Sequence, residues 1–393
     1  TNNISDYFNA TASTVGIHLS FNNSSWLITN NKLFQTATRL YTTGAAHYGI
    51  YLSGSSYNVT GNIIGFANSS GTGTTNMVGN SVPLLGSFPD AYNITGTSVS
   101  IIYTGIYCVP TDFNSVSEIQ GNTIAGFAMF TGSGNNNKNG VWCGIFNQFG
   151  YANIGTTAGN IIGATSGTGS VYVACTTSGA LTVGIYSTSN RPITIQNNNV
   201  GAIDAMGTTS SVCGSIMGIN AGNIGDPAGY KSGNSFIYAN TIGNATNPNI
   251  RMGNLTTGSF LSNIGTTFSA SSGLANFNGI ADFQTSTVVI GSAALPNIVM
   301  NVYMNSTSSS TSSYARGIYN YTGSTVTISS NIVTEINSNS TNTNSGDPVV
   351  ITGISNFSTT TGQIIELNSI SGLRAINTTA NNIYVKGIYF SSS

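Results

Sequence analysis

Branched apolar residues recur along this chain in a phrase that repeats about every three dozen residues. Gly-Ile pairs begin at Gly16, Gly49, Gly105, Gly144, Gly184, Gly218, Gly279, Gly317, Gly353 and Gly387. Each of the first nine is followed, mostly 13–18 residues later, by an Asn with a branched apolar residue two places on. These are Asn31, Asn62, Asn122, Asn160, Asn198, Asn240, Asn297, Asn331 and Asn368. Ile28, Val59, Ile119, Ile195, Ile237, Ile328 and Ile365 stand three residues before their Asn. The phrase is therefore [Ile/Val]-x-x-Asn-x-[Ile/Val/Leu]. The Asn160 and Asn297 repeats depart from it, with Thr157 and Ala294 in the leading place.

A fixed phrase at a fixed interval predicts a solenoid, each repeat forming one rung stacked on the last. Between anchors, β-branched runs such as Val99–Tyr103, Ser170–Ala174 and Val288–Ile290 soon meet Gly or Ser, which predicts short strands. No window carries sustained helical periodicity. The expected fold is all-β: a right-handed parallel β-helix of about ten rungs, one domain over residues 1–393. In the expected geometry the first apolar residue of the phrase points into the core. The Asn takes the bend, since Asn tolerates left-handed dihedrals. The second apolar residue re-enters the core on the next face. Stacked amides would then form an Asn ladder along the axis.

Successive Gly anchors lie 33, 56, 39, 40, 34, 61, 38, 36 and 34 residues apart. The two long intervals predict insertions at about 68–98 and 244–273, or alternatively a degenerate extra rung in each. The Gly387 repeat has no Asn before the sequence stops, and the sequence starts at Thr1 rather than at Met, with no signal-peptide pattern in its first residues. A processed product or a segment of a longer protein is expected.

Charged residues are only 5% of the chain, far below the ordinary quarter. No stretch approaches the roughly 20 apolar residues of a spanning helix, so a membrane-spanning role is not expected. The net charge of −1 and the lack of a basic stripe argue against nucleic acid as a partner. Disorder is opposed by 19 Tyr and 17 Phe and by Ile recurring in register.

The Asn-x-Ile bends and Gly-Ile-Tyr strands resemble right-handed parallel β-helix repeats of the pectate-lyase-like type. Asn31-Lys-Leu-Phe-Gln-Thr-Ala-Thr-Arg39 and Gly61-Asn-Ile-Ile-Gly-Phe-Ala-Asn-Ser-Ser-Gly71 are similar to repetitive secreted surface proteins of Bacteroidota-type bacteria. Many of those leave by the type IX route. The resemblance implies fold and a secreted or surface location; it specifies no chemistry.

Candidate chemistry is sparse. The ten acids do not stack on adjacent rungs when counted from the Gly anchors, although Asp204 with Asp226 could form a hydrolytic pair and Arg191 with Asp226 an ion pair. His18 and His47 lie near successive anchors but at different offsets. No metal site or cofactor is expected. Cys108, Cys143, Cys175 and Cys213 form no CxxC pair; Cys175 with Cys213 is the candidate disulfide, and buried free thiols are the alternative. The most suggestive set is aromatic: Tyr51, Tyr107, Phe146, Tyr186, Tyr319 and Tyr389 follow Gly-Ile directly. Strand alternation turns them outward if Ile points inward, as a stripe open to glycans or to other copies of the chain, or as a ladder covered by the long loops. The expected function is an extracellular structural or adhesive segment without catalysis. A polysaccharide-binding or polysaccharide-cleaving protein is the alternative.

Overall fold

The computed structural model describes residues 1–20, 25–82, 96–110, 114–136, 139–223, 233–254, 271–308, 313–340, 349–375 and 384–390. The chain is a right-handed parallel β-helix built from three parallel sheets. One sheet has ten strands, and each carries a Gly-Ile pair, from Thr14–Leu19 through Ala45–Gly54 and Ile101–Pro110 to Tyr384–Phe390. A second has nine strands, each ending near the leading apolar residue of the phrase. The third has sixteen strands and begins each rung at the residue after the Asn. In six rungs this third face is split into two short strands, as in Ile161–Gly163 and Val171–Cys175. In Ile298–Met304 and the rungs after it the two halves fuse into one seven-residue strand, bent at Asn301, Glu335 and Gly372.

The core motif behaves as expected in its apolar residues. Ile119, Ile195 and Ile237 are buried, as are Ile64, Ile124 and Ile242 on the next face. The bend differs from expectation. The left-handed residue is the one before the ladder Asn: Asn30, Gly61, Gly121, Asn197, Ala239, Ser330 and Leu367 all have positive φ, and the ladder Asn does not. The turn is made one residue early so that the Asn side chain enters the interior. The two departing repeats keep the same plan with extra residues. Ile154 and Ile290 fill the leading place, paired in register with Ile119, Ile195, Ile237 and Ile328. Gly155 and Gly291 make the positive-φ turn after them.

The long intervals hold no extra rung, because Ala45–Gly54 pairs directly with Ile101–Pro110, and Ser215–Ala221 with Asn276–Asp282. The insertion bounds need correction. Thr75–Gly79 and Ile250–Asn254 fall inside the expected insertions yet are in-register strands of the third sheet. The longest connections lie at 80–100 and 255–275. Much of each is outside the described residues.

The Gly of each Gly-Ile pair is required by close approach rather than by a left-handed turn. A Cβ on Gly144 would lie 2.6 Å from the Gly184 carbonyl oxygen of the next rung and 2.8 Å from Ile162. The same carbonyl faces every Gly anchor from Gly16 to Gly353. The anchors therefore form a column in which only hydrogen fits between rungs.

The four cysteines are free and buried, so the Cys175–Cys213 disulfide is not formed. The Cys175 thiol donates instead to the Met206 carbonyl at 3.4 Å. Both residues pack in the main core as small apolar groups. Burial pushes the Cys108 and Cys175 thiols up to about 12, which keeps them protonated.

Inside the helix, where the Gly-Ile sheet meets the second sheet, a row of polar side chains runs up the axis. Asn147, Ser187, Asp282, Asn320 and Asn356 occupy it, with Ala221 between. The buried Asp282 carboxylate accepts from the Ser235 hydroxyl and, at 2.8 Å, from the Gln284 N–H. Burial outweighs these two bonds and pushes its carboxyl up to about 7. The folded state thus holds this proton more tightly than the unfolded chain, where the value is 3.8. The contribution is fully present below pH 3.8 and is lost as pH rises to about 7. At about 1.4 kcal/mol per unit, the loss is roughly 4 kcal/mol. We expect the stability difference between wild type and Asp282→Asn to shift by this order across that window, measured by urea unfolding at pH 4.5, 6 and 8. A difference independent of pH would show that Asp282 titrates normally.

Candidate functional site

The expected Asn ladder is continuous. From Asn31 to Asn331, each Asn donates its backbone N–H and its Nδ2 to the Oδ1 of the next: Asn62, Asn122, Asn160, Asn198, Asn240, Asn297, Asn331 and Asn368 in turn. The second Nδ2 proton reaches back to the leading apolar residue one rung below, as from Asn160 to the Ile119 carbonyl at 2.9 Å. The ladder also has a member that the phrase did not reveal. Asn2 donates its Nδ2 to Asn31 Oδ1 at 2.9 Å. Its rung lacks a preceding Gly-Ile, which is why the repeat did not expose it. These amides satisfy one another and hold the rungs; they are structural.

The aromatic residues after Gly-Ile do lie in one register row, together with His18. Tyr51 and Tyr107 stack with centroids 5.0 Å apart, and Phe146 and Tyr186 at 4.9 Å. His18 meets Tyr51 edge-on at 5.3 Å, and Tyr107 meets Phe146 edge-on at 4.8 Å. Five rings thus rise on five rungs. Asn220 and Ala281 interrupt the row; Tyr319 resumes it, and Ser355 separates Tyr319 from Tyr389.

The row points outward, as alternation requires, but its middle is not exposed. Tyr186 is 0% exposed, Phe146 4% and Tyr319 7%. With Cys143, Val183, Met217 and Phe283 they form a second apolar cluster outside the tube. The Gly-Ile sheet is therefore buried on both faces in the central rungs, as is usual for parallel sheets. Surface contact remains on either side. At the far end Arg316 lies 3.8 Å from the Tyr314 ring centroid and 4.3 Å from that of Tyr319, and Lys386 lies 3.7 Å from that of Tyr389.

At the near end the row opens into a hollow of about 280 Å³. Tyr48, Tyr107, Phe146 and Phe149 supply its aromatic surface, and Asn139, Gln148 and Asn223 its amides. Internal hydrogen bonds orient each amide. The Tyr107 hydroxyl donates to Gln148 Oε1 at 2.7 Å, and the Tyr186 hydroxyl to Asn223 Oδ1 at 3.3 Å. Asn139 Nδ2 donates to Thr104 Oγ1 at 2.9 Å. Burial pushes the Tyr107 phenol above its ordinary value, so it stays neutral. Tyr48 and the amides escaped sequence reasoning because none recurs at a fixed offset; Tyr48 precedes its Gly, where other rungs carry Val15, Thr104 or Cys143. A larger hollow of about 360 Å³, between Ile4, Ile17, Leu19 and Ile28, is the end of the core itself.

The polar pairs considered from sequence resolve differently. Asp204 is 0% exposed and pairs with Arg251 on the next rung, with Arg251 Nε to Asp204 Oδ1 at 2.8 Å. Burial pushes the Asp204 carboxyl up, and the guanidinium pulls it back down. Counting from the Gly anchors missed this pair because Asp204 lies 20 residues after Gly184 but Arg251 lies 33 after Gly218, the added residues falling in the connections 222–234 and 243–249. Asp226, the other member of both proposed pairs, lies outside the described residues. His18 and His47 sit on opposite faces of the Gly-Ile sheet: His18 is exposed, whereas His47 is buried against Phe8 and Tyr41 and held by Thr14. They do not form a pair. Burial lowers His47 to about 4, so it is neutral.

No family model matches the chain, nor does any curated protein or solved structure. No described helix is long and apolar enough to cross a membrane.

Proposed function

We propose that this chain is a structural and adhesive segment of an extracellular surface protein, part of a surface fibre, and that it does not catalyse. The observation carrying this reading is the unbroken amide column. Ten stacked Asn side chains, from Asn2 to Asn368, tie the rungs into one rod about 50 Å long at roughly 4.8 Å per rung. Such a scaffold suits spacing and attachment. The fate of Asp204 supports the absence of hydrolysis, since its carboxylate is spent on Arg251 in the interior. The surface location follows from the resemblance to repetitive secreted proteins.

Two experiments test the reading. The purified chain should release no new reducing ends and no unsaturated products from a panel of plant, algal and bacterial polysaccharides. Turnover above the buffer rate would overturn the non-catalytic assignment. Antibodies against the chain should label intact cells of the source organism; labelling only after lysis would overturn the surface assignment. Polysaccharide binding is the second reading, favoured by the aromatic and amide hollow at Tyr48 and Tyr107.

A further inference from the structure

We propose that the hollow lined by Tyr48, Tyr107, Asn139, Gln148 and Asn223 binds one uncharged pyranose ring of a glycan. The inference rests on the adhesive reading and names the ligand class for its contact site.

Size comes first. A volume of about 280 Å³ lies at the lower end of small-molecule sites and holds about nine waters by their share of liquid volume. That is room for one sugar ring rather than a run of them. Surface chemistry comes next. A pyranose has an apolar C–H face and a rim of hydroxyls, each both donor and acceptor. The hollow offers the aromatic surface of Tyr48, Tyr107, Phe146 and Phe149 to the first. To the second it offers amides with fixed orientation. Gln148 and Asn223 have their oxygens occupied by tyrosine hydroxyls, which leaves Nε2 and Nδ2 as donors. Asn139 has its Nδ2 occupied by Thr104, which leaves Oδ1 as an acceptor. Two donors and an acceptor around an aromatic floor match neighbouring hydroxyls on one ring. Charge decides the subclass. No lining residue is ionised, so a uronate or sulfate would lose hydration without gaining a cation.

The test uses the whole chain and five hexasaccharides: cellohexaose, xylohexaose, mannohexaose, laminarihexaose and, as the acidic comparator, hexagalacturonate. Calorimetry reads affinity, and saturation-transfer NMR reads which protons touch the protein. At least one neutral hexasaccharide should bind saturably, with the C–H protons of one ring most strongly saturated. Tyr48→Ala and Gln148→Leu should each weaken it by about tenfold or more, the effect of one lost ring contact or hydrogen bond. Tyr389→Ala, at the far end of the row, should leave binding unchanged. The proposal is overturned if no neutral hexasaccharide binds at millimolar concentration, if only hexagalacturonate binds, or if both hollow variants bind like wild type. Should Tyr48→Ala fail to fold, shown by circular dichroism, Gln148→Leu decides alone. Shortening of a bound hexasaccharide would sink the non-catalytic reading while supporting the site, so the two failures are distinguishable.

Discussion

Gly144→Ala is expected to destabilise the solenoid by at least about 3 kcal/mol, the upper range for forcing extra atoms into a packed interior. The new methyl would sit 2.6 Å from the Gly184 carbonyl oxygen and 2.8 Å from Ile162, well inside van der Waals contact. Neither neighbour can yield cheaply. The Gly184 backbone belongs to a central strand of the ten-stranded sheet, and Ile162 is fully buried. The rungs would have to separate locally, which strains the Asn ladder on the opposite side of the turn. Gly387→Ala is the matched control, because nothing lies within 4 Å of its added methyl. It should change stability by less than about 0.5 kcal/mol. Urea unfolding followed by circular dichroism separates the two; equal midpoints would show that the Gly column is not a steric requirement.

Asn198→Ala should cost about 5 kcal/mol, beyond the usual range for a point substitution. The Asn160 N–H and Nδ2 both donate to Asn198 Oδ1, and Asn198 Nδ2 donates to the Ile154 carbonyl. Deleting the amide leaves two buried donors and one acceptor unpaired, each worth about 1–3 kcal/mol. The next amide loses less, since the Asn198 backbone N–H still reaches Asn240 Oδ1. In a stacked array, damage in the middle uncouples the two halves, whereas damage at an end frays one rung. Asn368→Ala should therefore cost much less, about 2 kcal/mol, because it loses the equivalent bonds, from the Asn331 N–H and Nδ2 and to the Ile328 carbonyl, at a half-exposed position where water can replace them. A single sharp transition for Asn368→Ala and a broadened or two-step one for Asn198→Ala is the expected pattern. Identical transitions would mean that the ladder contributes no coupling.

Legibility in the sequence followed repetition. Residues that every rung must share, such as Ile119, Asn122 and Gly144, announced themselves because stacking demands the same side chain at the same height. Residues whose partners lie at a rung-specific distance did not. Asp204 and Arg251 meet only because the 222–234 and 243–249 connections absorb the difference in spacing. The hollow at Tyr48 was invisible for a related reason: Gln148, Asn139 and Asn223 come from three connections whose lengths differ from rung to rung. The turn itself was misassigned by one residue. The phrase identifies the Asn but leaves open which neighbour takes the left-handed bend, and the pairing that selects Gly121 or Asn197 forms only once rungs stack.

By itself the sequence determined the β-helix, its number of rungs, and the columns of Gly, Ile and Asn. Those follow from a periodic pattern in which each rung contacts only its two neighbours. Tertiary structure alone decided exposure. Tyr51 and Tyr186 stand in equivalent places in the phrase, yet Tyr51 is half-exposed and Tyr186 buried within the second apolar cluster. It also decided that Cys175 packs as an apolar group rather than bridging to Cys213, and that Asp282 stays in the interior without a cation among its hydrogen-bond partners. A repeat fixes what lies above and below a residue. What lies beside it is set by the loops, and the loops do not repeat.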